Sequence, residues 1–528
     1  MALVTEARPA KAQGEELGTI ETNIPARLDR LPWSRWHLMI LVGLGTVWIL
    51  DGLEVTIVGS IAGAISAKGS GITISAAEVA GWAASMYVAG ACVGALLFGR
   101  LTDKFGRKRL FMITLGVYLA ATVATAFAWT PLFFFACRFV TGMGIGGEYS
   151  AINSAIDELI PARHRGRIDI LINGTYWAGA AAGALLSVAA LHIFSPLLNW
   201  RICFALGAIL GTAILIVRRH VPESPRWLFI HGREDEAEEV TRDIERQVAE
   251  STGAELDDPE ETITIKQRKS IGLWEISRAI VTNYPKRTVL GLGLFIGQAF
   301  LYNAILFGYA TLLSTFYGVS TANAPYYLVA FAVGNLFGPI ILGPLFDSVG
   351  RKPMIAGTYI LSGVLLLITG YLFKENQLNA TSLTVAWSVV FFFASAGVSA
   401  AYLTVSEIFP METRALAIAV FYAVGTGIGG IIGPQVFGRL VPTGNATDVF
   451  LALALGAVLM IIGGLIEIVF GVKAERKGLE SIAKPLTAVT GSVKSGVKRA
   501  GTAAGTAAGT AAGTAGTAAT KRRRERTA

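Results

Sequence analysis

Two short loops of the same chemistry stand 244 residues apart in this chain. Gly99, Asp103, Gly106, Arg107 and Lys108 recur at identical spacing as Gly343, Asp347, Gly350, Arg351 and Lys352. A second set, Glu158, Pro161 and Arg165, recurs as Glu407, Pro410 and Arg414 at an offset of 249. Two independent sets with nearly equal offsets imply a duplicated unit. Each Gly-x-x-x-Asp-x-x-Gly-Arg-Lys loop lies between apolar stretches. Its glycines permit a tight turn and close helix approach. Its Asp can accept hydrogen bonds from a neighbouring helix N-terminus, and its Arg can pair with a carboxylate.

The stretches between such loops run about 20 residues or more without charge, the length that crosses ~30 Å of hydrocarbon. Only 16% of the 528 residues are charged and 53% are hydrophobic, whereas a soluble domain carries about a quarter charged residues. The class is an all-α integral membrane protein. Twelve transmembrane helices are expected at roughly 38–65, 78–99, 109–128, 131–154, 168–193, 199–217, 288–316, 325–346, 353–373, 383–405, 413–438 and 448–471, as two pseudo-symmetric six-helix bundles. The expected organisation is an N-terminal segment over 1–36, a first bundle over 37–217, a loop with short helices over 218–287, a second bundle over 288–471 and a disordered basic tail over 472–528. Parallel duplicated halves of this kind hold a substrate site between them near the midplane.

Arginine and lysine set the orientation. Short loops on one side hold Arg100, Lys104, Arg107, Lys108, Arg109, Arg163, Arg165, Arg167, Arg351, Lys352 and Arg414; the other side holds only Lys68, Lys374 and Arg439. Both termini are therefore expected in the cytoplasm, with the chain in the inner (plasma) membrane. The first 36 residues mix both charge signs and have no apolar core of a cleaved signal. Arg233 to Gln247, dense in Glu and Arg, reads as a short amphipathic helix. Cys92, Cys137 and Cys203 lie in apolar stretches and read as small packing residues. The basic tail, with Gly-Thr-Ala-Ala repeats, suits an anionic lipid surface rather than nucleic acid. No Walker loop or His-Glu-x-x-His stretch supports ATP-driven transport or proteolysis. No metal, no cofactor and no enzymatic activity are expected. Gly142-Met-Gly-Ile-Gly-Gly147 matches a dinucleotide pattern by spacing alone, since no strand precedes it; small residues so placed let helices pack backbone to backbone.

Five stretches carry a family resemblance: the two loop motifs, Arg138-Phe-Val-Thr-Gly-Met-Gly-Ile-Gly-Gly147, Pro222-Glu-Ser-Pro-Arg-Trp-Leu228 and Ser406-Glu-Ile-Phe-Pro410. Over about residues 36–471 the chain resembles the major facilitator superfamily, in its sugar-porter and metabolite:proton symporter branches. The resemblance implies an inner salt-bridge network that holds the outward-open state. It pairs Arg107 with Glu158 and Arg165, and Arg351 with Glu407 and Arg414, with Asp103 and Asp347 in the loops and Glu223 joining. A network that only holds structure is the alternative.

Charges inside spans are the strongest functional clue, because each costs at least ~2.5–3.5 kcal/mol at the membrane centre. Asp51 and Glu54 lie in the first span, three residues apart and on one helix face; Arg138 and Glu148 lie in the fourth. At ~1.5 Å per residue, Glu54 lies about 24 Å above the inner end of its span and Arg138 about 10 Å below the outer end of an antiparallel one, so a pair is feasible. The sugar-porter branch places a proton-accepting acid and an Arg at the positions of Glu54 and Arg138, and Asp51 resembles the two-acid pattern of the aromatic-acid symporters. Burial disfavours a charged carboxylate and a neighbouring guanidinium favours it, so moving the Arg on or off changes proton affinity. A static ion pair is the plainer alternative.

For the cavity, the resemblance points to Asn173 in the fifth span and to Gln298 and Asn303 in the seventh. Amides there suit hydroxyl or carboxylate ligands, or act as interhelical glue. Where sugar porters carry tryptophans in the tenth span, this chain has Gly397 and Tyr402. The expected function is proton-coupled symport of a small polar metabolite by a monomer in the lipid bilayer. Sugars, sugar acids, aromatic acids and nicotinate-like compounds all fit a polar cavity with one Arg. A passive facilitator of the same fold and a non-transporting membrane sensor are the alternatives.

Overall fold

A computed structural model describes residues 16–218, 222–257, 259, 261–268, 278, 280–410 and 414–483. Among these, ten helices are long and apolar enough to cross a membrane: Arg35–Ile65, Ala76–Thr102, Arg107–Ala126, Arg165–Ile193, Pro285–Tyr317, Ala324–Ser348, Arg351–Lys374, Ala380–Ile408, Leu416–Thr443 and Ala446–Phe470. Pro131–Leu159 and Asn199–Arg218 complete twelve. The first of these two is interrupted by Arg138, Glu148, Asp157 and Glu158. Large apolar side chains such as Leu132, Ile193 and Val469 point outward from the bundle, the surface that lipid covers.

The packing repeats as the motifs do. In the first half the first span packs on the fifth, the second on the fourth and the third on the sixth. In the second half the seventh packs on the eleventh, the eighth on the tenth and the ninth on the twelfth. Each pair recurs six helices later. The halves meet through the first and seventh, the second and eleventh, and the fifth and eighth spans.

The Gly142 to Gly147 stretch holds the second and fourth spans together. A Cβ on Gly142 would overlap the Tyr87 carbonyl oxygen, and one on Gly146 would overlap that of Ala91. The backbones therefore touch directly, the packing that small residues allow in hydrocarbon. Gly106 and Gly350, the motif-loop glycines, have φ of 89° and 117°, which a side chain disfavours. Asn379 and Asn445 act as helix caps, accepting from the backbone N–H of Ser382 at 2.8 Å and of Thr447 at 3.0 Å, which satisfies donors at a helix start. Cys92, Cys137 and Cys203 are buried and free.

The region outside the spans departs from an all-helical reading. Strand β1 (Glu16–Thr22) pairs antiparallel with β2 (Ile263–Arg268), so the N-terminal segment and the long loop form one unit. The loop carries helices Pro225–Ile230 and Glu234–Thr252. A third short helix, Ile24–Asp29, is clamped there: Arg27 donates to Glu238 at 2.8 Å and to Glu245 at 2.6 Å, and Arg30 to Glu245 at 2.6 Å. Register between distant strands is invisible to local periodicity. The start of the expected disordered tail is also structured. Residues 472–483 run under the second bundle and include helix Leu479–Ile482, because Arg287 donates to the Ile482 carbonyl at 3.1 Å. The remainder, 484–528, lies outside the described residues.

Candidate functional site

A cavity of about 90 Å³ lies between the halves. All four residues expected there line it: Asn173, Gln298, Asn303 and Tyr402. Gly397 does not, since its Cα faces Thr358 and Tyr359 on the ninth span. The lining is mostly aromatic. Trp48, Tyr87, Tyr149, Tyr176 and Trp177 come from the first half, and Tyr302, Tyr402 and Tyr422 from the second. Trp48 stacks on Tyr149 with ring centroids 4.7 Å apart, and Tyr402 meets Trp48 edge-on at 5.1 Å. These rings follow from position: tyrosines midway along apolar helices bring a hydroxyl to membrane depth, a signal as good as an amide that the sequence reading passed over.

Two of the helices around the cavity break at its level. The fifth span interrupts at Thr175, whose hydroxyl donates to the Gly45 carbonyl at 2.7 Å. The eleventh, its counterpart in the second half, makes a π turn over Tyr422–Thr426. Such turns are frequent at functional sites because they re-aim side chains without ending the helix. Here they present Tyr176, Tyr422 and Thr426.

Asp51, Glu54 and Arg138 divide into two arrangements. Glu54 and Arg138, both fully buried, pair directly. Arg138 also donates to Thr125 at 2.9 Å and Thr141 at 3.0 Å and lies 4.7 Å from the Phe204 ring. Tyr118 donates to Glu54 at 3.2 Å. Neither charge lines the cavity, so the expected guanidinium in the site is absent from the described lining. The reason is packing: the third, fourth and sixth spans supply every partner of Arg138 beyond Glu54. Asp51 does line the cavity, and it accepts from the hydroxyls of Tyr87 and Tyr149. Glu148 accepts from Thr114 at 3.3 Å on the side away from the cavity.

On the face bearing the duplicated loops, each half makes a two-pronged Arg–Glu pair. Arg107 holds Glu158, one contact being 2.7 Å, and Ser224 also donates to that carboxylate. Arg351 holds Glu407 at 2.9 and 3.1 Å and Asp347 at 2.6 Å. Glu223 contributes by accepting from the backbone N–H of Arg107 at 3.0 Å and Lys108 at 3.2 Å, an anion at a helix start. Two expected pairings differ. Arg165 does not reach Glu158 or Arg107; it donates to Asp29 at 3.1 Å and the Lys477 carbonyl at 3.3 Å. Arg414 does not reach Glu407; it donates to the Ser406 carbonyl at 2.6 Å and approaches Glu158 of the other half at 3.8 Å. Both arginines stay buried, and their partners come from the N-terminal segment, residues 472–483 and the other half. The side chain of Asp103 lies outside the described residues.

These contacts also join the halves. Asp347 accepts from the backbone N–H of Arg167 at 2.8 Å, beside the Glu158–Arg414 and Arg165–Lys477 links. On the opposite face the contacts between the halves are uncharged among the described residues. There Gly59 abuts the Leu306 carbonyl, Gly63 abuts Thr321, and Gly438 abuts Gly81. The cavity is thus walled on both sides, by charge pairs on one and by backbone contact on the other.

Comparison with known proteins agrees with this architecture. A family described as sugar (and other) transporter matches residues 40–484. The niacin transporter NiaP of Acinetobacter baylyi is 28% identical over 462 residues, 87% of this chain and 99% of that protein. The putative metabolite transport protein YdjK of Escherichia coli is also 28% identical, over 87% of this chain and 96% of its own. The arabinose-proton symporter of Escherichia coli is 26% identical over 73% of this chain and 80% of its own. Among solved structures, the proton:xylose symporter XylE bound to 6-bromo-6-deoxy-D-glucose superposes with a TM-score of 0.67 at 19% identity, covering 84% of this chain and 98% of that one. Duplicated halves, paired motif loops and a central cavity thus coincide with a match along most of the chain, which has the fold of that major facilitator superfamily symporter and belongs to the sugar (and other) transporter family.

Proposed function

We propose that this chain is a proton-coupled symporter of a small polar metabolite, working by alternating access around the central cavity. The observation that carries the reading is Asp51, the one carboxylate among the described residues lining the cavity, one helical turn from the buried Glu54–Arg138 pair. Asp51 is the group placed to exchange a proton with a solute or with water in the cavity. Glu54–Arg138 is the pair whose separation would change proton affinity as the helices rock. The closed state gives the gating its parts: charge pairs on the motif face, glycine contacts on the other, and breaks in the fifth and eleventh spans where those helices can bend. Arginine and lysine bias supports a cytoplasmic motif face, with both termini on that side, in the inner (plasma) membrane. Residues of both halves line the cavity, and the carrier is proposed to work as a monomer.

The substrates named for the relatives, niacin and arabinose, are both single-ring polar molecules and set the first panel. In proteoliposomes with an imposed pH gradient, uptake of a panel member should rise with an inward proton gradient and fall in Glu54→Gln and Asp51→Asn. Uptake indifferent to the gradient, or unchanged in both variants, overturns the coupling and leaves a passive carrier.

A further inference from the structure

The N-terminal segment is fastened to the rest of the chain at four points. β1 pairs with β2. Arg27 holds the short helix Ile24–Asp29 to Glu238 and Glu245 of the loop helix. Leu28 and Leu31 are buried, and the Leu31 carbonyl accepts from Arg163 at 2.9 Å. The fourth point is Asp29, whose carboxylate accepts from Arg165 at 3.1 Å and stands 3.7 Å from the Arg226 guanidinium.

Arg165 opens the fifth span, in the first half, and is fully buried. Asp29 is its one carboxylate partner among the described residues. Nη2 donates to Asp29 and, at 3.4 Å, to the Ile160 carbonyl; Nη1 donates to the Lys477 carbonyl at 3.3 Å. Lys477 belongs to residues 472–483, which Arg287 ties to the start of the seventh span through the Ile482 carbonyl. One guanidinium thus faces the N-terminal segment and a piece of the second half at once. Its donors form a rigid planar fork, so anchoring one nitrogen aims the other. A carboxylate makes the stronger, charge-assisted bond and a carbonyl the weaker one. Asp29 is therefore the anchor, and the Lys477 contact is what it aims. Asp29 lies outside the duplicated unit, so the repeat gave no sign of it.

Resting on the alternating-access reading, we propose that Asp29 is a positioning residue of the motif-face gate: it aims Arg165 at Lys477, so that the N-terminal segment straps the two halves together on that side. Opening towards the motif face then requires the strap to yield. Loss of one charge-assisted bond shifts a two-state equilibrium on the order of tenfold.

The test reads gate opening without any solute. Ser399, which lines the cavity, is replaced by Cys in the full-length protein, and an impermeant maleimide is added from either face of reconstituted vesicles. Cys92, Cys137 and Cys203 are buried, and labelling of the parent chain supplies their background. Asp29→Asn should raise the labelling rate at Ser399→Cys at least fivefold from the motif face, with no rise from the opposite face. Asp29→Glu should stay within twofold of the parent. Asp29→Asn and Arg165→Met should be non-additive, since one acts through the other. Should Asp29→Asn fail to fold, Arg27→Gln decides: it loosens the same segment away from the gate and should raise the motif-face rate at least threefold. Arg351→Ala, which breaks the Glu407 pair, reports on gating itself. A rate raised by Arg351→Ala but not by the strap variants overturns the strap and leaves the carrier standing. Equal acceleration from both faces, or additivity with Arg165→Met, makes Asp29 a folding residue only and overturns the strap as well. A rate that no substitution moves removes both the strap and the alternating-access reading.

Discussion

Replacing Glu54 should harm the protein far more than replacing Asp51, although the two acids stand one turn apart on the same helix. Glu54 is the only countercharge of Arg138 among the described residues, and neither side chain reaches solvent. Glu54→Gln leaves a guanidinium buried with only Thr125, Thr141 and the Phe204 ring around it. Breaking a buried pair by removing one partner costs about 3–5 kcal/mol. The two threonine acceptors and the ring place this case near the low end, about 3 kcal/mol, a shift of roughly a hundredfold in the folding equilibrium. Asp51 has neutral partners, Tyr87 and Tyr149, so Asp51→Asn strands no charge and should cost within about 1 kcal/mol, the scale of one net hydrogen bond. The double variant Glu54→Gln/Arg138→Met removes both charges and should recover most of the loss, giving an interaction term of about 2 kcal/mol in the double-mutant cycle. Unfolding of the four proteins in mixed micelles, followed by tryptophan fluorescence against added SDS, measures each difference. Glu54→Gln no less stable than Asp51→Asn, or a double variant as unstable as the sum of its parts, would refute the pairing argument.

Three further outcomes follow from the same geometry. Arg351→Ala strands Glu407 on the motif face and removes the support of Asp347, which ties to Arg167 of the other half. A cysteine at Ser399, which lines the cavity, should then react at least tenfold faster with an impermeant thiol reagent added from that face, and an unchanged rate would count against the gate. The clasp between the N-terminal segment and the loop helix should release on acidification. Burial opposes the charged forms of Glu238 and Glu245, but hydrogen bonds from Arg27, Arg30 and Arg242 outweigh it and hold both below the usual carboxylate range. Groups depressed in this way stabilise above the ordinary Glu value of about 4.3 and lose their effect as pH falls below it. A fluorescent pair at Gly18→Cys and Ser251→Cys should therefore separate below about pH 4 and stay close at pH 8; separation on the alkaline side would reverse the sign. Gly142→Leu should prevent stable folding altogether, because the added side chain meets the Tyr87 backbone and not a movable side chain. Overpacking costs typically about 1–3 kcal/mol where neighbours can shift, and here they cannot; a variant purified at parental yield and stability would show that the helices can part.

The duplicated loops, the apolar stretches and the arginine bias were enough to read twelve spans, two halves and their family, because each is a property of chain order. Span length depends on the bilayer and motif offset on the repeat, and neither needs knowledge of which helix touches which. That the Gly142 to Gly147 stretch permits close backbone packing was legible from its small residues; that the second span is the partner was not. Pairing was legible from depth along two antiparallel helices for Glu54 with Arg138, and from the family resemblance for Arg107 with Glu158. It was not legible where rotation about the helix axis decided the partner. Asp51 and Glu54 share a face in sequence terms, yet only Asp51 meets the cavity while Glu54 meets the third and fourth spans. A difference of three residues turns a side chain by some 60° around the axis, enough to separate a solute-facing acid from a packed ion pair. Arg165 and Arg414 took partners other than their expected glutamates, Asp29 and the Lys477 carbonyl for one, the Ser406 carbonyl and Glu158 of the other half for the other, and spacing does not record elements that only the fold brings near. The β1–β2 pairing joins residues far apart in the chain, and only the folded halves bring them together. Sequence order thus settled what the protein is built from, and tertiary structure alone decided that its cavity holds one acid, a ring-lined wall and no free cation among the described residues that line it.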